Sequence, residues 1–161
     1  MSKIFYFGYG ANMDKDMMAA ITGTRSMPEP LSAIVEGYEL CIQKWQEISQ
    51  DIRRVLSQKW DDTFATYCLR KTYDKRAIVA GKIWELKPEE FELISNWEMH
   101  GRWYERINSR ARVYNGEEVD VISDAINSPS IIEIVDGIFY NPFLNDKAKM
   151  LDVASEVRMN L

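Results

Sequence analysis

Apolar and polar positions along the chain first alternate and then become helical in period. Lys3 to Phe7 is crowded with β-branched and aromatic residues and predicts a short first strand. Gly8 and Gly10 break it, and Met13 to Ile21 carries a helical pattern that stops near Gly23. Asn12 suits the helix N-cap, with Asp14 and Asp16 in the turn after it. Thr24 to Leu31 holds Pro28 and Pro30 and predicts a loop. Ala33 to Gln43 predicts one strand, with Leu40 and Ile42 on one face. Lys44 to Asp61 admits either a short helix or an irregular connection with a weak strand. Thr63 to Leu69 and Ile78 to Leu86 predict strands on either side of a charged turn, and Gly81 marks a bulge or a point of close approach.

Pro88-Glu89-Glu90 signals a helix start, because proline fits the first turn and carboxylates suit the positive helix end. That helix runs to about Glu98. Arg102 to Ile107 and Arg110 to Tyr114 predict two strands, followed by the hairpin signal Asn115-Gly116 and a return strand from Glu118 to Ser123. Pro129 to Asp136 predicts a short helix ending at Gly137, and Pro142 opens a last helix through Val157. Strands interrupted by helices, with a late hairpin, predict an α+β fold: a mixed sheet or small barrel with helices packed around it.

The length of 161 residues suits a single domain over positions 1–161. A formal charge of -5 argues against a nucleic-acid partner. Cys41 and Cys68 each fall inside a predicted strand and read as core thiols, with neither zinc spacing nor a disulfide framework. No apolar run approaches the roughly 20 residues of a membrane helix. The first residues enter a strand without a signal-peptide core, so a cytoplasmic location is expected. No metal or cofactor constellation is visible, and the oligomeric state is not legible.

Two places carry candidate chemistry. The strand, glycine turn and helix start around Gly8 to Asn12 point several backbone N–H groups at one spot, which suits a carboxylate or another small anion. The same pattern also describes a plain strand-to-helix turn. Farther on, Phe91, Ile94 and Glu98 share one helix face, and Trp97, Met99 and Trp103 crowd the carboxylate in sequence. Burial there raises the pKa of Glu98 and makes it a general acid and base near neutral pH. Alternatively the side chain swings into solvent or meets Arg102 or Arg106, which would lower it. His100, the only histidine, reads as a surface or capping residue.

Tyr9-Gly10-Ala11-Asn12-Met13 resembles the Tyr-Gly-Ser-Asn-Leu signature of the gamma-glutamylcyclotransferase-like family. That superfamily takes in the plant avirulence-induced-gene proteins and gamma-glutamylamine cyclotransferases. A second block supports the resemblance: Trp97-Glu98, then Tyr104-Glu105-Arg106, following the glycine-containing strand Gly81-Lys82-Ile83-Trp84. The resemblance implies a small mixed β-barrel flanked by helices, and conversion of a small γ-glutamyl amine or amino acid to 5-oxoproline plus free amine, without cofactor or metal. It implies Glu98 as the acid/base and Gly8, Tyr9, Gly10, Ala11 and Asn12 as the substrate loop. The Gly10, Ala11 and Asn12 amides would face the oxyanion, and Tyr104 and Arg106 would support the pocket floor. Ala11 stands where the family usually has serine. Ser130-Ile131-Ile132 stands where a substrate-contacting tyrosine is expected, with Tyr140 nearby. These departures motivate an alternative, a non-catalytic ligand- or protein-binding module on the same fold with a degenerate site.

Overall fold

The computed structural model describes residues 2–126 and 133–160. In chain order these hold β1 (Ile4–Gly8), α1 (Lys15–Thr22), β2 (Leu31–Glu36), β3 (Tyr38–Lys44), α2 (Gln50–Leu56) and β4 (Ala65–Lys71). Then come β5 (Ile78–Leu86), α3 (Pro88–Trp97), β6 (Glu105–Val113), β7 (Glu118–Ala125), β8 (Glu133–Val135) and α4 (Lys147–Met159). Five strands close into a barrel in the order β1-β5-β2-β6-β7. Its joints are antiparallel except where β7 returns beside β1 in parallel, with Tyr6 opposite Ile122. The barrel is therefore mixed, and the fold is α+β as expected.

Side-chain alternation sorts the strands into two cores. Phe7, Val35, Val79, Ile83 and Val121 fill the barrel interior. Tyr6, Trp84 and Leu86 point outward, where Met17, Met18 and Ile21 of α1 and Phe91 and Ile94 of α3 cover them. Burying one such side chain is worth roughly 2 kcal/mol. An exposed ion pair such as Arg110–Glu118 is screened by solvent and contributes little, so apolar faces hold the helices on.

Several expectations are corrected by tertiary pairing. The strand expected over Ala33 to Gln43 is two strands, divided at Gly37, whose φ of 80° turns the chain. β2 stays in the barrel, whereas β3 joins a separate sheet of order β4-β3-β8. β8 lies inside the helix expected over Pro129 to Asp136; Leu40 and Val135 pair across it, and backbone partners on β3 outweigh local propensity. The rest of that expectation, residues 129–132, lies outside the described residues.

The two strands expected after Arg102 are one, β6, paired with β7 from Glu105 to Arg112. The last helix starts under Asp146, whose carboxylate accepts the Lys149 N–H at 2.8 Å, and not at Pro142. The open segment after Lys44 resolves into a single 3-10 turn and α2. Cys41 and Cys68 face each other across β3 and β4 as free thiols. No helix among the described residues is long and apolar enough to cross a membrane.

Gly81 is the point of close approach that its place in the strand suggested. A Cβ there would sit 2.5 Å from the Gly8 carbonyl oxygen and 2.5 Å from Phe7 Cζ, both inside the barrel wall. Gly81→Ala is expected to destabilise the protein by about 1–3 kcal/mol through overpacking, read as a lower urea midpoint with an unchanged slope.

Candidate active site

The turn after β1 is shaped by what Gly8 leaves out. A Cβ on Gly8 would lie 2.5 Å from the Asn12 carbonyl oxygen, so the chain can fold back on its own strand only with glycine there. Gly10 to Met13 then makes one 3-10 turn, with Gly10 at φ 59°. Trp84 Nε1 on β5 donates to the Asn12 carbonyl at 2.8 Å and pins the turn to the barrel. The N-cap of the following helix is Asp14, which accepts from Met17 N at 3.0 Å, so the expected N-cap role of Asn12 is corrected. Asn12 is freed for something else. Its buried Nδ2 donates to Glu98 Oε1 at 2.8 Å and to Tyr6 Oη at 2.8 Å.

Glu98 is the last residue of the α3 turn system. The Met99 N–H bonds to the Asn96 carbonyl at 3.2 Å, and the His100 N–H to the Ser95 carbonyl at 3.1 Å. This is a Schellman closure, with Met99 at φ 50° where glycine is usual. A side chain in that conformation costs on the order of 1 kcal/mol, stored directly beside Glu98.

Behind the carboxyl runs a buried polar chain. Tyr6 Oη donates to Asp124 Oδ2, and His100 Nε2 meets Asp124 Oδ1. His100 Nδ1 in turn meets Ser95 Oγ at 2.8 Å, and Arg106 Nη2 donates to the same hydroxyl at 3.1 Å. Tyr9 Oη donates to the Asp124 backbone carbonyl at 2.7 Å. Asp124 is only 2% exposed. Glu98 itself is half-buried, with one side on the hollow and the rest packed. Desolvation, then the negative charge of Asp124, pushes the Glu98 carboxyl up to about 8, against a weaker opposing effect of the Asn12 hydrogen bond. Burial likewise drives the Tyr6, Tyr9 and Tyr104 phenols well above their ordinary range, so they remain donors.

These elements surround a hollow of about 480 Å³. Tyr9, Gly10, Ala11, Asn12, Glu98 and Tyr104 line it together, and Gly8 stands behind the turn, outside the lining. Tyr104 Oη donates to the Tyr67 carbonyl at 2.7 Å. Arg106 departs from its expected place: it lies across the Phe91 ring at 4.8 Å and is not part of the floor. Among the described residues neither Arg102 nor Arg106 pairs with Glu98.

Of the three amides expected to face an anion, Asn12 N–H is turned back onto the Tyr9 carbonyl at 3.3 Å. Gly10 N–H makes a long contact of 3.4 Å to Tyr140 Oη, and Ala11 N–H has no acceptor among the described residues. Tyr140 thus stands against the loop, while the region of Ser130-Ile131-Ile132 lies outside the described residues. No group of three or more His, Cys, Asp or Glu gathers to hold a metal among the described residues.

Sequence reasoning missed Tyr6, Asp124 and the placement of His100. The available signal was Asp124 continuing the alternation of Ile122 on the outward face of a strand. That position is buried only because helices cover it.

No family model and no curated protein matches the sequence. Solved structures do resemble the fold. A human structure described as uncharacterized protein loc79017 superposes with a TM-score of 0.64 at 15% identity, over 81% of this chain and 70% of that one. A gamma-glutamyl cyclotransferase gives 0.63 at 14% identity over the same shares, 81% and 70%. A mouse AIG2-like protein gives 0.50 at 17% identity, over 91% of this chain and 100% of that one. At these identities the likeness is one of architecture, and it agrees with the closed mixed barrel and its helices: the chain has the gamma-glutamylcyclotransferase-like, AIG2-like fold.

Proposed function

We propose that the protein is a cyclotransferase that converts a small γ-glutamyl amine or amino acid to 5-oxoproline and the free amine. The observation that carries this reading is that the Glu98 carboxyl, raised to about 8, lines the same hollow as the Gly10–Ala11 turn. The reaction needs little more. The substrate's α-amine and γ-carbonyl belong to one molecule, so holding the folded conformer supplies much of the rate. The α-ammonium loses a first proton to solvent, and as the freed nitrogen attacks the γ-carbonyl carbon, Glu98, as carboxylate, takes a second proton from it. The carbonyl oxygen becomes an oxyanion against the Ala11 N–H, which has no other acceptor among the described residues. Collapse breaks the γ-carbon to nitrogen bond, and protonated Glu98 returns its proton to the departing amine. One carboxyl of raised pKa serves both transfers.

Asn12, Tyr6 and Asp124 act on this step through Glu98. The Asn12 amide holds Oε1 in place in either protonation state, and its own position is set by Tyr6. Asp124 supplies the negative charge that makes Glu98 a stronger base. Alanine at position 11 removes a side-chain hydroxyl but leaves the backbone donor intact.

Glu98→Gln should lose at least about a hundredfold in kcat with the fold retained. Circular dichroism and mass-spectrometric detection of 5-oxoproline on a panel of γ-glutamyl compounds check this; full activity in the variant removes Glu98 from the mechanism. If the parent protein cyclises nothing on that panel, the reading as a binding module replaces this one. Because Glu98 must be ionised to act as a base, kcat/KM should rise as pH increases through about 8. Burial, the larger cause of the raised Glu98 pKa, survives in Asp124→Asn, but the second cause, the Asp124 charge, is removed, so this acid limb should move part of the way to lower pH. A limb that stays in place would dissociate Asp124 from the tuning.

A further inference from the structure

The hollow does not end at Glu98. From Tyr104 an aromatic wall runs on through Trp103, Phe64 and Trp60, with successive ring centroids 4.9, 6.5 and 5.1 Å apart. All four line the hollow. Two of them have their polar atoms committed elsewhere: Tyr104 Oη donates to the Tyr67 carbonyl at 2.7 Å, and Trp103 Nε1 donates to Gln43 Oε1 at 3.0 Å. Trp60 and Trp103 are only partly buried, as are Trp97 and Met99, which line the same stretch. Apolar surface is thus held open toward the hollow.

The cations beside the wall are engaged. Lys59 pairs with Glu156 at 2.6 Å, and Lys149 lies over the Trp60 ring at 4.5 Å. Arg102 also lines the hollow, and its side chain is exposed.

A γ-glutamyl head held between the turn and Glu98 shares its hollow with this wall, so a group bonded to the γ-carbonyl through nitrogen has the wall within the same cavity. We infer, resting on the cyclotransferase reading, that the amine released carries a bulky apolar group, aryl or branched alkyl. The wall selects γ-glutamyl amides by covering that group with Trp60, Phe64 and Trp103. Small amines leave this surface wet and forfeit the stabilisation that aromatic and apolar contact gives. The apolar group can belong to a simple amine or to an apolar amino acid. In the second case Arg102 is the residue placed to meet the extra carboxylate.

The test compares N-phenethyl and N-methyl γ-glutamyl amides and γ-glutamylphenylalanine, by 5-oxoproline release from the intact protein and by calorimetric binding to the Glu98→Gln variant. The expected result is a kcat/KM at least about tenfold higher for the phenethylamide than for the methylamide, the size of discrimination an apolar pocket supplies. Trp60→Ala, or the milder Trp60→Leu if alanine unsettles the fold, should cut that ratio at least about threefold. If γ-glutamylphenylalanine is the better of the two aromatic compounds, the apolar amine is an amino acid; if worse, a plain amine.

Equal kcat/KM for phenethylamide and methylamide overturns the preference and leaves the cyclotransferase reading standing. No turnover, with phenethylamide still bound at least about tenfold more tightly than methylamide, keeps the subsite and sinks the cyclotransferase reading. Neither turnover nor binding overturns both.

Discussion

One side-chain amide joins the two halves of the site. Asn12 and Glu98 lie 86 positions apart and meet at 2.8 Å. The contact needs the turn after β1, the end of α3 and the outward face of the barrel to be in place at once. Each has its own local cause. Gly8 lets the turn fold back, Met99 at positive φ ends the helix so that Glu98 looks inward, and Trp84 ties the Asn12 carbonyl to β5. The Asn12 amide has two hydrogens, and both are used, on Glu98 and on Tyr6.

The polarity of that neighbourhood is unusual for a helix-to-barrel interface. The outward face of β1 and β7 buries Tyr6 and Ile122 against α1 and α3, and Asp124 sits on the same face. A lone carboxylate there would be costly. Asp124 is met by the Tyr6 phenol on one oxygen and by His100 on the other, with Tyr9 on its backbone carbonyl. Satisfying Asp124 in this way leaves a fixed negative charge close to Glu98. The second carboxyl then relieves both its own burial and that repulsion by holding a proton more tightly. The raised basicity of Glu98 therefore comes from the packing of the whole interface, in addition to its own pocket.

The hollow has two chemical characters in sequence along its length. At one end are backbone donors and a carboxyl; at the other are aromatic rings, of which Tyr104 and Trp103 direct their polar atoms elsewhere. Such a division suits a ligand with a charged, compact head and an apolar remainder.

Much of this could be read from residues in order. The strand before Gly8, the helix opened by Pro88, the hairpin at Asn115-Gly116 and an α+β arrangement of mixed sheet or small barrel with helices follow from local pattern, because turn chemistry and periodicity act over a few residues. The choice of a mixed barrel came from the family resemblance. Glu98 was visible as a carboxyl continuing an apolar stripe, and the loop from Gly8 to Asn12 as a glycine turn. What stayed hidden depended on partners far along the chain. Gly37 divides a stretch that is uniformly strand-like, and only the competition between two sheets sends β2 and β3 apart. Residues 133–135 pair as a strand because β3 offers them an edge. Arg106 was expected at the pocket floor from the family resemblance and Asn12 at the N-cap from the local helix-start pattern, yet one lies over Phe91 and the other reaches across to Glu98. Tyr6 and Asp124 looked like ordinary strand positions, since nothing local says that a strand's outer face will be roofed by helices. Local sequence thus determined which segments could form each element and where a carboxyl and a glycine turn would occur. The tertiary structure alone decided that the two face each other, because burial and hydrogen-bond partners over 86 positions are properties of the packed molecule.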